Sequence, residues 1–257
     1  LKEIAEYKII LSAHDKLIAF KKELDIANAI QSSILPVKFP AFPDRNEFDI
    51  YAKMIPAKEV GGDLYDFFLI DESRLGVVIA DVSGKGIAAA LLMAVTKTLL
   101  KATALKGLPV DDVLSEINKI LAEDSPSNMF VTVFYGVLDT SSGAFEYCNG
   151  GHNSPFLIST DGKVNQLEKV GGLLIGAIKD ADYESSVVML KPDETLFFYT
   201  DGVTEAFNKN EEEYEEARLI EVLKNNNTNS AIESVKSVFD NVQKFADGVE
   251  QSDDITC

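Results

Sequence analysis

The chain contains no tryptophan, two histidines and two cysteines among its 257 residues. Cys148 and Cys257 lie far apart and neither belongs to a CxxC or Cys/His cluster, so neither a disulfide framework nor a zinc site is expected. A reducing, cytoplasmic setting fits the same scarcity. Basic residues are also in deficit, 24 Lys and Arg against 42 Asp and Glu, for a formal charge of −18. An acidic surface repels phosphates at long range, which argues against nucleic acid and anionic membranes as partners. No signal-peptide pattern opens the chain. Its most apolar helical stretch, 87–105, carries Lys97 and Lys101 and reads as a buried helix, so no direct membrane insertion is expected. A GxSxG elbow, a P-loop and a Rossmann GxGxxG are all missing. Internal repeats are absent, and the one low-complexity tract is the Asn-rich segment 225–229.

What is present is an ordinary apolar fraction, 46%, enough for a sizeable core in one large domain or two modest ones. Over 10–34 apolar residues recur at heptad spacing: Ile10, Leu17 and Leu24 in one series, Ala13, Phe20, Ala27 and Ile34 in another, with Gln31 interrupting the first. This is the pattern of a coiled-coil seam. Leu35-Pro36 ends it, because proline disfavours helical geometry in the residue before it. Residues 1–40 are therefore expected to be a dimerising linker helix and connector that joined an upstream sensory domain, with Leu1 not a native start. Packing of this helix on its own domain is the alternative. Residues 41–257 are expected to form the globular domain.

Period-two alternation puts Phe48, Ile50, Ala52 and Met54 on one face of a strand. Segments 66–70 and 75–80 read as a hairpin flanked by Asp63 and Asp81. Helices are expected over 88–104 and, after Gly107-Leu108-Pro109, along the stripe Val110, Val113, Leu114, Ile117 and Leu121. A meander of strands follows at 130–138, 144–148, 155–158 and 163–167, with two more at 187–190 and 196–200. A helix over 212–223 precedes another opened by the capping-box pattern Ser230-Ala231-Ile232-Glu233. The chain stops just after Asp253-Asp254-Ile255-Thr256, where a final strand is expected, so that strand reads as truncated. Hairpins with helices grouped in pairs imply sheets covered on their outer faces, hence an α+β fold.

Four acidic turns carry the chemistry: Gly61-Gly62-Asp63, Asp81-Val82-Ser83-Gly84-Lys85-Gly86, Thr200-Asp201-Gly202 and Ser252-Asp253-Asp254. Two carboxylates about 4 Å apart repel by roughly 1 kcal/mol in water and roughly 4 at an effective dielectric of 20, so converging acids need cations between them. Oxygen donors without suitable His or Cys favour Mg²⁺ or Mn²⁺. Two such ions suit the hydrolysis of phosphate monoesters, which is very slow without a catalyst.

These motifs, with Asn149-Gly150-Gly151-His152-Asn153 and Thr200-Asp201-Gly202-Val203-Thr204-Glu205, stand in one order along the chain. Together they resemble the PPM-type metal-dependent serine/threonine phosphatases of the bacterial SpoIIE/RsbU-like branch. The resemblance implies a β-sandwich of two mainly antiparallel sheets flanked by helix pairs, in αββα layers. It also implies two Mn²⁺ or Mg²⁺ ions, bridged by Asp81 and further held by Asp63, Asp201, Asp253 and the Val82 carbonyl, with a metal-bridged water attacking phosphorus directly. Of the last acidic pair, Asp253 rather than Asp254 matches the family ligand. The implied substrate is a phosphoserine or phosphothreonine on a regulatory protein, an antagonist of STAS type in a partner-switching pathway that controls a sigma factor. An upstream sensor or activator and a homodimer formed through the leading helix are the other implied partners, and the helix pair after Asp81 is similar to the element that gates metal binding.

The eukaryotic relatives hold the substrate phosphate with an arginine, where this chain offers Lys58 or Lys53. His152 reads as a structural histidine in a glycine turn, with general acid as the alternative. Asp66 reads either as support for the site or as a strand-end polar group. Gly171-Gly172-Leu173-Leu174-Ile175-Gly176 resembles a family loop without its proline and reads as a flexible turn, and Cys148 as a buried thiol. A non-catalytic scaffold of the same fold, assembling through the coiled coil, is the alternative function. A nucleotide cyclase is disfavoured because Leu64-Tyr65 does not continue a GGDEF motif.

Overall fold

A computed structural model of the chain describes residues 2–124, 129–225 and 230–257. Apart from Asn225, the Asn-rich tract lies outside the described residues. Helix α1 (Lys2–Ile34) leads through a connector to β1 (Met54–Ile55), the strands β2 (Leu64–Leu69) and β3 (Arg74–Val82), and the helices α2 (Ile87–Ala104) and α3 (Val110–Asp124). Then come β4 (Val131–Asp139), β5 (Ala144–Gly150), β6 (Phe156–Ile158), β7 (Val164–Gln166), β8 (Gly171–Gly172), β9 (Ser186–Met189) and β10 (Thr195–Phe197). The short α4 (Asp201–Thr204), α5 (Glu215–Asn225), α6 (Ala231–Ala246) and β11 (Ile255–Thr256) complete the order.

Strands β2, β3, β4 and β5 are antiparallel neighbours in the larger sheet, which β8 and β9 extend from β5. A smaller sheet runs β10-β6-β7. Because side chains alternate along a strand, β4 feeds two cores. Val133 and Tyr135 join Met93 and Leu100 of α2 and Val113 and Ile117 of α3. Phe134, on the other face, joins Ile79, Phe145 and Tyr147 against Leu157, Leu196 and Phe198 between the sheets, with the Phe134 and Tyr147 rings stacked 5.3 Å apart. A third core packs Phe156, Phe197 and Tyr199 on Leu219 of α5 and Val238 and Phe239 of α6. Each such buried side chain contributes about 1.5–3 kcal/mol. The result is the α+β sandwich with helix pairs on its outer faces that the pattern implied. The capping box opening α6 is formed, with Ser230 Oγ accepting from the Glu233 amide and the Glu233 carboxylate accepting from the Ser230 amide.

Three local readings are corrected. The strand expected over 48–54 is reduced to β1, paired only with β11. Phe48 and Ile50 are held by one-sided packing against the large core, so their period of two marks burial of an extended chain without a neighbouring strand. Gly171-Gly172 is no free turn but β8, parallel to Asn149-Gly150. The strand expected to reach Thr200 ends at Phe197, and Asp201 opens α4.

Helix α1 has two parts. Ile10, Leu17 and Phe20 of the heptad series are exposed, Leu17 by 66%, whereas from Leu24 onward the helix descends on the domain and the following Leu35 is buried. Among the described residues, α2 alone has the length and hydropathy of a membrane span. Its inner face lies in the core, and Lys97 (8% exposed) donates to Asp66 (2% exposed) at 2.7 Å, with Lys101 at 3.7 Å. Asp66 therefore pins α2 to β2. Breaking a buried pair strands a charge, so Lys97→Met is expected to lower stability by roughly 3 kcal/mol, the Lys101 ammonium retaining part of the compensation. Urea denaturation measures this, and adding Asp66→Leu is expected to recover most of the loss.

Candidate metal centre

Residue Leu64 pairs with Ala80 across the β2–β3 hairpin, so Asp63, just before β2, and Asp81, near the end of β3, stand at the same end of the larger sheet. The other corners are delivered by the C-terminal segment. Thr200 donates its amide to the Thr256 carbonyl at 3.1 Å and accepts the Thr256 amide on Oγ1 at 3.0 Å, which ties the start of α4, with Asp201, to β11 and the preceding Asp253-Asp254.

Asp63 is 1% exposed, and both threonine hydroxyls donate to its Oδ2, Thr200 at 2.8 Å and Thr256 at 2.5 Å. Burial and then the neighbouring Asp81 charge push its carboxyl well above the usual range. Asp81 is pushed up to about 7, first by burial and then by Asp201, Asp253 and Asp254. Asp201 is raised by burial and by Asp253, and Glu205 is raised by burial, Asp201, Glu213 and Asp253. Burial first, and the acidic neighbours second, thus make full ionisation of the cluster unfavourable without a cation beside it.

The two acids of the last motif do different work. Asp254 is buried and accepts the main-chain amides of Ala57 at 2.7 Å, Gly62 at 2.5 Å and Asp63 at 3.4 Å. Asp253 instead faces Lys85, whose Nζ lies 2.8 Å from Oδ2 and also donates to the Ser252 carbonyl. Two glycines permit this crowding. A Cβ at position 62 would lie 2.8 Å from the Val82 carbonyl oxygen, and one at position 202 would collide with the Asp254 carbonyl.

The structure thus gathers Asp63, Asp81, Asp201 and Asp253 with the Val82 carbonyl beside them. Among the described residues no three His, Cys, Asp or Glu side chains are close enough in this conformation to enclose an ion. The donor chemistry nevertheless fits a hard divalent cation, being all oxygen with excess negative charge. Of the lysines considered from sequence, Lys53 lies over the Phe239 ring at 4.6 Å and Lys58 is exposed. At the cluster itself the described cation is Lys85, within the motif that begins at Asp81. His152 is buried, with Nδ1 2.8 Å from Thr132 Oγ1 and its amide donating to Asn149 Oδ1 at 2.7 Å. It sits behind the strand partner of Asp81, since Thr132 pairs with Asp81.

A family model described as stage II sporulation protein E (SpoIIE) matches residues 71–257. The chain belongs to the SpoIIE family. The phosphoserine phosphatase RsbU of Bacillus subtilis is 31% identical to it over 236 residues, covering 92% of this chain and 69% of RsbU. Protein IcfG of Synechocystis is 30% identical over 261 residues, covering 91% of this chain but only 40% of IcfG. In structure, the SiaA-PP2C domain of Pseudomonas aeruginosa superposes with a TM-score of 0.80 at 21% identity, covering 94% of this chain and 96% of that one. The PP2C fold is thereby shown for this SpoIIE-family chain.

Two outcomes test the packing of the SpoIIE-family site. Gly62→Ala is expected to cost about 1–3 kcal/mol by overpacking against the Val82 carbonyl, read by thermal denaturation. Burial holds the His152 ring near a pKa of about 4 against an ordinary 6.5, so on acidification the unfolded chain takes up this proton first. Its contribution is complete above pH 6.5 and lost as the pH falls toward 4, by roughly 2–3 kcal/mol in all. The difference between wild type and His152→Gln across that window isolates the effect.

Proposed function

We propose that this chain is the catalytic domain of a divalent-metal-dependent phosphatase acting on phosphoserine or phosphothreonine of a regulatory protein. The observation that carries the reading is the convergence of Asp63, Asp81, Asp201 and Asp253 from four separate segments on one under-neutralised spot. These four carboxylates, with the Val82 carbonyl, would hold two Mn²⁺ or Mg²⁺ ions. Bound there, such ions supply the positive charge that activates water and stabilises charge developing on a phosphoryl group.

The chain's own groups prepare the place. Thr200 and Thr256 orient Asp63, Asp254 fixes the Gly62-Asp63 main chain, and Lys85 is the ammonium offered to the substrate phosphate. No nucleophilic side chain is required, in keeping with direct attack by water. The similarity to the phosphoserine phosphatase RsbU supports a phosphoserine substrate; an antagonist of STAS type in a partner-switching pathway, in the cytoplasm, completes the reading. The exposed heptad residues of α1 support a homodimer through residues 1–40, below an upstream sensor. The chain spans less than half of IcfG, which leaves room in such proteins for an upstream sensor.

One observation favours the alternative of a non-catalytic scaffold: the Lys85–Asp253 pair lies across the cluster. Release of phosphate from a phosphoserine protein decides between the two. It is expected to require Mn²⁺ or Mg²⁺ and to fall at least about a hundredfold in Asp81→Ala and in Asp201→Ala. Full activity in either variant removes the site assignment, and absence of Mn²⁺ binding by calorimetry favours the scaffold.

A further inference from the structure

The heptad series of α1 is interrupted at Gln31, and this residue turns toward the carboxylate cluster. Gln31 is 5% exposed. Its Nε2 donates to the Gly61 carbonyl at 2.6 Å, and its Oε1 accepts the Gly61 amide at 3.0 Å. One side-chain amide thereby satisfies both main-chain groups of a buried glycine, as a neighbouring strand would. One helical turn earlier, Asn28 Nδ2 donates to the Glu59 carbonyl. Residues three apart share a helix face, so this face of α1 grips the main chain of 59–61. The adjoining amides of Gly62 and Asp63 are gripped by the Asp254 carboxylate. The segment held by the two grips ends in Asp63.

We propose that Gln31 is a positioning residue of the metal centre: it holds the Gly61-Gly62-Asp63 main chain in the register that ion binding needs, so that the placement of α1 is coupled directly to Asp63. This rests on the reading of Asp63 as an ion ligand given above. Both hydrogen bonds span 30 residues of sequence, so they exist only while the last turns of α1 stay seated. Unseating the helix leaves a buried N–H and C=O without partners, a costly state that the loop relieves by moving. The coupling runs through hydrogen bonds to the main chain of the loop that ends in Asp63.

The test uses the whole chain with Gln31→Met, which keeps the volume and removes both bonds, Gln31→Ala, and the exposed control Glu23→Ala. Hydrogen exchange in the metal-free protein is expected to accelerate about tenfold at the amides of 60–64 in both Gln31 variants, with β3 and β4 unchanged. Mn²⁺ affinity, followed by electron paramagnetic resonance of the free ion, is expected to weaken about tenfold in the same variants and to hold in Glu23→Ala. Unchanged exchange at 60–64, uniform acceleration across the domain, or faster loop exchange with unaltered Mn²⁺ affinity each overturns the proposal. Failure of the wild type to take up Mn²⁺ overturns the metal reading instead, and the exchange pattern then decides alone whether Gln31 holds the loop.

Discussion

Asp63, Asp81, Asp201 and Asp253 come from separate segments, and burial, together with the repulsion of like charges brought close, raises the carboxyls of Asp63, Asp81 and Asp201 above their usual range. Nothing local in those segments favours the gathering. It is imposed by the ladder of β2, β3 and β4, by the hydrogen bonds between Thr200 and Thr256, and by the Asp254 carboxylate, which draws together the amides of Ala57, Gly62 and Asp63. Lys85 offsets part of the charge, yet Asp81 is still displaced to about 7. The apolar cores on either side of the sheets supply the stability against which this repulsion is maintained.

Much of this was legible in the sequence, for identifiable reasons. Acid-glycine turns at strand ends are visible because glycine is needed where main chains approach, as Gly62 approaches the Val82 carbonyl and Gly202 the Asp254 carbonyl. The helices announced themselves by periodicity, and α6 by its capping box. The strand over 48–54 misled because alternation reports one-sided burial whether or not a partner strand is present. β8 escaped because two glycines carry no pattern at all, and α4 because a single turn is too short for periodicity.

The supporting residues of the site were less visible. Lys85 belongs to the motif that begins at Asp81, but which lysine faces the cluster depends on where the segment carrying Asp253 packs. Asp254 looked like a second-choice ligand, while its hydrogen bonds to loop amides depend on long-range pairing of β1 with β11. Gln31 was visible only as an interruption of the heptads. A polar residue within an apolar seam announces that something polar meets it, without saying whether that is a second helix or, as here, a loop of the same chain.

The pairing of β1 with β11 means that the carboxylate cluster is completed by parts of the chain separated by almost the whole domain. During synthesis the ribosome releases Asp63 and Asp81 early, and folding of the β2–β3 hairpin can begin while Asp253 and Asp254 are still unmade. Until β11 arrives, Asp63 lacks the Thr256 hydroxyl and its loop lacks the Asp254 carboxylate. The nascent chain is thus a sheet with half a carboxylate cluster, and the cluster is completed in one late step rather than growing with length.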